Sequence, residues 1–482
     1  LFWLTENIDM HWVWWIVNIL YGLTILGIMA VVVSENRNPV KSLAWVTVLL
    51  VVPVVGLVLY IVFGRNIQTK RIISRRNIRK LRRIEAAGER DHGYVRRPDR
   101  NMPQATLAYA LSGSNYYEGN SAEIYDNGTD KFNALLRDIR AARSYINMQY
   151  YIVADDRIGR VVMDALMERA RAGVKVRLIY DHVGSFKLSR KALRRLKEAG
   201  VEAYPFFKVA FPPFGTRINW RNHRKIVVID GKTGYIGGMN VADRYIDGGK
   251  MFDVWRDLHL RIEGPAVYSL QQSFAIDWNF MGQPLIEDAP SEIVVTPDSQ
   301  AIGMQLVTGG PTNQWLNMTL MFQQAIAGAR KCVYIQTPYF IPTEGLMHAL
   351  QIAALSKVDV RLMVPRRSDS DMLRWASFSY VQECLRAGIK VYFYEKGMLH
   401  SKAIIVDDDF CTVGSANFDF RSFEYNFEAN LLLYSPDFNA RLKELFMRDL
   451  ADSRRITPAA WRHRPVLEKA LESVMRLFSP IL

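Results

Sequence analysis

Two short segments of this chain set an imidazole beside an ammonium and follow them with a carboxylate at the same spacing: His223-x-Lys225 with Asp230, and His400-x-Lys402 with Asp407. Each runs on into the same sequel, Gly237-Gly238-Met239-Asn240 in one and Gly414-Ser415-Ala416-Asn417 in the other, so the two agree in register over eighteen positions. With eight histidines in 482 residues, that agreement marks a duplication and implies one site built by two related halves. The residue types suit a phosphodiester. Such an anion repels nucleophiles and expels a poor leaving group, so a catalyst has to neutralise the non-bridging oxygens, supply an in-line nucleophile and protonate the departing alkoxide. One imidazole can form a covalent phosphohistidine while the other acts as acid and then as base. Lys225 and Lys402, with Asn240 and Asn417, can hold the oxygens. This division needs one neutral and one charged ring at the same pH, which histidine's ordinary pKa of about 6.5 allows when lysines and carboxylates stand nearby.

The elements that must position these residues repeat as well. Tyr145–Tyr151 reads as a buried strand with Tyr334–Phe340 as its counterpart, and a helix follows each. Val174–Leu178 and Val358–Leu362 come next, then Ala199-Gly200-Val201 and Ala387-Gly388-Ile389, each opening another strand. Runs rich in Val, Ile and Tyr alternating with helical stretches give an α/β fold with mixed sheets. Lys225–Ile229 and Lys402–Val406 read as strands, so alternation puts His223 and Lys225 on one face, and His400 and Lys402 likewise. Both pairs can then reach a cleft between the halves. Asp257 and Glu428 occupy equivalent places on a later strand of each half. The expected organisation is a transmembrane hairpin over 1–64, a basic juxtamembrane linker over 65–104, a first half over 105–300, and a second half with a C-terminal helix over 301–482.

Two HxKxxxxD motifs, each with a trailing Gly-x-x-Asn, resemble the phospholipase D superfamily over about residues 105–450. Arg37-Asn38-Pro39, Ala44-Trp45, Pro53, Gly56, Tyr60–Gly64 and the ending Phe478-Ser479-Pro480 are similar to bacterial cardiolipin synthases within it. The resemblance implies two halves packed around one site, with His223, Lys225, Asp230, His400, Lys402 and Asp407 as its motif residues. It assigns Asp257 to orient His223 and Glu428 to orient His400, makes Asp230 and Asp407 more structural than chemical, and makes His223 the nucleophile. The implied reaction passes a phosphatidyl group from one phosphatidylglycerol to another with release of glycerol. A membrane phospholipase D that gives the intermediate to water, yielding phosphatidic acid, uses the same residues. A nuclease of the superfamily would suit the basic charge but not a membrane leader, so nucleic acid is not an expected partner.

The leader is read from its own residues. Trp12–Val33 is uncharged, and at 1.5 Å per residue spans about 33 Å, enough for the hydrocarbon core. Ser42–Phe63 is a second such stretch, and the polar turn Ser34–Lys41 between them favours two crossings over one re-entrant dip. A cleaved signal peptide fits poorly, because Glu6 and Asp9 precede the run and no basic segment does. Lys70, Arg71, Arg75, Arg76, Arg79, Lys80, Arg82 and Arg83 then place the following chain on the cytoplasmic face of a bacterial inner membrane. A net charge of +14 suits anionic lipid as partner.

Cys332, Cys384 and Cys411 lack paired spacing and read as reduced core thiols. The motif histidines lack zinc-ligand spacing, so neither metal nor cofactor is expected. His259 and His348 read as satisfied structural groups. Phe206–Gly215, with Phe211 and Phe214, is either core or a loop entering the bilayer, and Arg217 and Arg221 beyond it are candidate headgroup contacts. Leu467–Phe478 has apolar residues at helical spacing and can pack on the domain or lie on the membrane. Oligomeric state is left open by the sequence.

Overall fold

The computed structural model describes residues 10–34, 39–52, 56, 60, 74, 76–80, 95–96, 102–208, 220–286, 295–296 and 301–481. They fall into two compact units, one holding the described residues up to Tyr60 and the other those from Ser74 onward. In the first, Met10–Ser34 and Pro39–Val51 are helices. Leu49 and Tyr60 are buried there with Met29, Trp45 and Val46 packed against them, the Trp45 and Tyr60 rings meeting edge-on at 5.4 Å. Trp12, Trp14, Trp15, Leu20, Leu23 and Leu26 are exposed. Among the described residues no helix is long and apolar enough to cross a membrane. Of the expected second crossing over 42–63, residues 42–52, 56 and 60 are described; its remainder and most of the 65–104 linker lie outside the described residues.

The second unit is organised by strands. β1 (Val95–Arg96) pairs with β2 (Tyr116–Tyr125). There follow β3 (Tyr145–Tyr150), β4 (Lys175–Asp181), β5 (Glu202–Phe206), β6 (Arg221–Asn222), β7 (Ile226–Ile229), β8 (Thr233–Gly237), β9 (Trp255–Arg256) and β10 (His259–Glu263). The second half supplies β11 (Ile302–Gly309), β12 (Cys332–Gln336), β13 (Asp359–Pro365), β14 (Lys390–Tyr394), β15 (Met398–Leu399), β16 (Ala403–Val406), β17 (Phe410–Gly414), β18 (Asn426–Tyr434) and β19 (Ser453–Ile456).

The two halves repeat one topology. Strands β5, β4 and β3 are parallel neighbours, and β7, β8, β10 and β2 add antiparallel in that order. In the second half β14, β13 and β12 are parallel, and β16, β17, β18 and β11 add antiparallel. β2 also pairs with β11, which joins the two sheets edge to edge. The innermost parallel strands, β3 and β12, are buried on both faces.

Helices cover the outer faces and start where capping residues satisfy their first N–H groups. Asn127 accepts from Asp130 N ahead of Gly128–Ala141, Asp156 from Gly159 N ahead of Arg157–Arg171, and Ser435 from Phe438 N ahead of Pro436–Ala451. In Arg157–Arg171, Ile158, Val162, Met163 and Leu166 recur at helical spacing and pack in the first-half core. A third core is shared, with Ile236, Leu260, Leu306, Ile405 and Leu431 in one cluster. Pro103–Ser112 precedes the first half in sequence but lies on the second, where Ala108 joins that half's core and Gln305 Nε2 donates to Ala105 O at 3.1 Å.

The register of the repeat differs from the expectation by two residues. β3 sets Ile146 opposite Ile229, and β12 sets Val333 opposite Val406, so Tyr145 corresponds to Cys332 rather than Tyr334. A shift of two keeps every side chain on the same face, so periodicity could not detect it.

Candidate active site

Each motif histidine lies just before an inner antiparallel strand, β7 or β16, and each is gripped by a short parallel pairing with the other half. β6 runs beside the start of β18, and His223 N donates to Phe427 O at 2.9 Å. β15 runs beside β9, and His400 N donates to Arg256 O at 2.7 Å. This crossing decides which acid meets which ring. Glu428 lies 2.9 Å from His223 Nδ1, and Asp257 Oδ2 lies 2.6 Å from His400 Nδ1. The expected assignment of Asp257 to His223 and Glu428 to His400 is therefore reversed: each half lends its acid to the other half's histidine, because β9, which ends beside Asp257, and β18, which holds Glu428, each pair with a strand of the other half.

The acids' surroundings differ. Gly238 leaves room for Asp257, since a Cβ there would come 2.1 Å from Oδ1. The matching residue of the second half, Ser415, instead donates its hydroxyl to Glu428, and Asn426 Nδ2 donates to Glu428 Oε1 at 3.2 Å. Lys225 Nζ donates to His223 O at 2.5 Å, and Lys402 Nζ lies 2.8 Å from His400 Nδ1 while donating to His400 O. All four acids and lysines are buried.

Burial governs their protonation. It pushes His223 down to about 4, against the pull of Glu428 and with the help of Lys225, so this ring is neutral and its Nδ1–H donates to Glu428. Burial lowers His400 as well, reinforced by Lys402. The same desolvation brings Lys225 down to about 7 and lowers Lys402. Burial raises a carboxylate, yet Lys402 and His400 hold Asp257 below its usual range, and His223 and Lys225 do so for Glu428. Lys402 acts on His223, and Glu428 on Lys402, so the two motifs share one electrostatic site.

Asp230 and Asp407 are placed elsewhere. Each sits at the far end of its strand with φ of 53° and 51°, and accepts three backbone N–H groups. Asp230 takes those of Arg143, Ser144 and Tyr145, and Asp407 those of Arg330, Lys331 and Cys332. They anchor the starts of β3 and β12. Asn240 Oδ1 accepts from Ile152 N at 3.0 Å and its Nδ2 donates to Tyr245 OH at 2.6 Å. Asn417 Nδ2 donates to Asp419 at 3.1 Å, and its Oδ1 has no hydrogen-bond partner. His259 is buried as expected but not satisfied; neither ring nitrogen has a hydrogen-bond partner, and burial with Lys131 and Lys225 nearby pushes its pKa well below the ordinary value. Phe211, Phe214 and Arg217 lie outside the described residues. Arg221 is buried and donates to Trp220 O.

Aromatic rings that sequence reasoning missed frame the two imidazoles. Tyr151 stands edge-on to His223 at 5.0 Å, while Trp255, Tyr245 and Tyr339 surround His400 at 5.2, 6.1 and 6.5 Å. Two buried arginines were missed as well. Arg224 bonds Asp277 at 2.7 Å and Glu428 O at 3.1 Å; Arg256 bonds Asp449 and Asp257 O, the latter at 3.1 Å. Each aspartate also accepts from a glutamine at the same place in the repeat, Gln149 or Gln336. No group of three or more potential metal ligands occurs among the described residues.

A family model described as "Cardiolipin synthase, PLD-like domain" matches residues 135–278 and 322–450. The chain is 41% identical over 458 residues to cardiolipin synthase 2 of Bacillus cereus, an alignment covering 94% of this chain and 89% of that protein. This chain belongs to the cardiolipin synthase family. The major cardiolipin synthase of Bacillus subtilis is 38% identical over 478 residues, covering 97% and 99% of the two chains. A second model, described as "Phospholipase_D-nuclease N-terminal", matches residues 12–65. Among solved structures, phosphatidylserine synthase from Haemophilus influenzae aligns with a TM-score of 0.55 at 13% identity, covering 75% of this chain and 93% of that one. That likeness concerns the fold alone. For a cardiolipin synthase family member, the asymmetry of Gly238 and Ser415 is the signal in the sequence that the two acids have different neighbours.

Proposed function

We propose that this protein makes cardiolipin by passing a phosphatidyl group between two phosphatidylglycerol molecules, and that the crossed histidine–carboxylate pairs carry the reaction. Family membership supports the activity, and the neutral, Glu428-anchored ring supports His223 as nucleophile. With Nδ1–H donated to Glu428, the Nε2 lone pair attacks phosphorus. The bond from phosphorus to the glycerol oxygen breaks, and His400 gives its Nε2 proton to that oxygen. The hydroxyl of a second phosphatidylglycerol then yields its proton to His400 as its oxygen attacks phosphorus, and the P–N bond breaks. Burial disfavours the imidazolium of His400 in the free protein, whereas the anionic diester and Asp257 favour it, so substrate binding itself arms the acid. Lys225 and Lys402 neutralise the non-bridging oxygens. The proposed setting is a bacterial inner membrane, crossed twice by 12–33 and 42–63, with both halves in the cytoplasm; the match of the N-terminal family model over 12–65 supports an anchoring role.

Incubating the purified protein with phosphatidylglycerol alone tests the reading. Cardiolipin with glycerol in equal amount is expected, and phosphatidic acid alone would show that water is the acceptor. Phosphohistidine should accumulate in His400→Ala and be absent from His223→Ala; the opposite pattern exchanges the two roles.

A further inference from the structure

The C-terminal helix Val466–Leu477 faces the wrong way for a helix whose outer side meets only water. Leu467, Leu471, Val474 and Phe478 recur at intervals of four, three and four, which puts them on one stripe. That stripe is exposed, at 71%, 37%, 47% and 43%, and Val466 and Leu477 beside it are more than three-quarters exposed. The side turned to the protein carries Met475 together with charged groups. Glu472 is buried and paired with Arg464, and Arg476 reaches Glu383 at 2.5 Å and stacks over Tyr380 at 4.4 Å. Burying a Leu, Val or Phe side chain is worth about 1.5–3 kcal/mol, so a helix free to roll in water would turn the stripe inward. Instead the ion pairs Glu472–Arg464 and Glu383–Arg476 occupy the side turned to the protein.

We infer that this helix lies on the surface of an anionic lipid bilayer, apolar stripe down, and holds the catalytic unit against the lipid. The inference deepens the phosphatidyl-transfer reading and rests on it only for the substrate. Charge supports lipid as the occupant. Between Ser453 and Phe478 the chain carries six basic residues against Glu468 and Glu472. Arg464 and Arg476 are paired on the protein side and Arg454 with Glu395, which leaves Arg455, Arg462 and Lys469 to meet a surface. Each basic residue near an anionic surface adds roughly 1 kcal/mol of attraction. An apolar face with a basic flank is the pattern of an interfacial helix. The connection to the site is short. Val466–Leu477 packs along Asp371–Ser379, whose N-cap is Ser370, and the neighbouring Asp369 accepts the hydroxyl of Tyr339 at 2.6 Å. The Tyr339 ring stands against His400. Met372, in the first turn of that helix, is itself exposed.

Two measurements on the full-length protein test this. The three native cysteines are buried, so Val474→Cys can carry a spin label in vesicles of phosphatidylglycerol and phosphatidylethanolamine. Relaxation by a lipid-soluble quencher exceeding that by a water-soluble one is the expected result. An aqueous label overturns the inference, and so does label–label broadening that disappears on diluting labelled with unlabelled protein, because a second copy would then be the occupant. In the second measurement, Leu467→Asp with Val474→Asp should cut turnover of vesicle phosphatidylglycerol about tenfold, the effect of roughly 1.4 kcal/mol, and leave turnover of a dispersed short-chain phosphatidylglycerol unchanged. Equal loss on both substrates overturns it. If the wild type turns over neither, the transfer reading fails, while the label still reports whether the helix meets lipid.

Discussion

At the residue scale, the two motif imidazoles are held in different environments, His223 by Glu428 and His400 by Asp257, and the proposed reaction makes these pairings testable. Glu428 should serve His223 and Asp257 should serve His400, so their amide variants should fail at different steps. Glu428→Gln is expected to lose phosphohistidine formation together with about 10²–10⁴-fold in rate, whereas Asp257→Asn forms the intermediate and releases it slowly; rapid-quench labelling with phosphatidylglycerol distinguishes them. Protonation also couples to stability. His223 falls from 6.5 to about 4 on folding, so between those values the unfolded chain binds a proton that the native chain excludes. Stability therefore rises with pH across that window, by up to about 3 kcal/mol from this group. Thermal unfolding followed from pH 4 to 6.5 should show a rising Tm that is flatter in His223→Gln. Lys225, lowered to about 7, extends the same sign from about pH 7 toward its ordinary value.

At the scale of elements, the parallel pairings β6–β18 and β9–β15 are what bring each acid to its ring, and the buried arginines hold those strands. Arg256 reaches Asp449 of the second half while bonding Asp257 O beside the acid itself. Arg256→Met should leave Asp449 buried with Gln336 as its remaining partner, costing about 3–5 kcal/mol by urea unfolding, and should lower activity further than lost stability explains by freeing β9. These pairings also mark where the sequence stops being legible. The duplication and the equivalent places of the two acids in it were readable, because they follow from local spacing, although Asp257 lies in the two-residue gap between β9 and β10 rather than on a strand as Glu428 does. Which acid meets which histidine was not. Both choices satisfy the same pattern, and only strands some 200 residues apart, β6 against β18, decide between them. The register of β12 escaped for a related reason, since a two-residue slip preserves alternation and only the N–H groups gathered by Asp407 fix it. His259 reads as an ordinary core histidine, and nothing in its neighbours' identities announces that both nitrogens go unpartnered.

At the scale of the molecule, the two halves form one cooperative body. β2 pairs with β10 of its own half and with β11 of the other, and Pro103–Ser112, which precedes the first half in the chain, packs into the core of the second. Chains cut between the halves near residue 300 and expressed separately should therefore be insoluble or molten, with near-ultraviolet circular dichroism absent until both pieces are combined. Calorimetry of the intact catalytic unit should show one transition rather than two.

The exchange of acids between halves also constrains how a lipid arrives. Were the lobes to swing apart like a clamshell, both imidazoles would lose their carboxylates in the same movement and two buried acids would be stranded without partners. Entry by such a hinge would dismantle the catalyst each time it loaded. The two halves are therefore expected to stay closed on each other as the substrate enters.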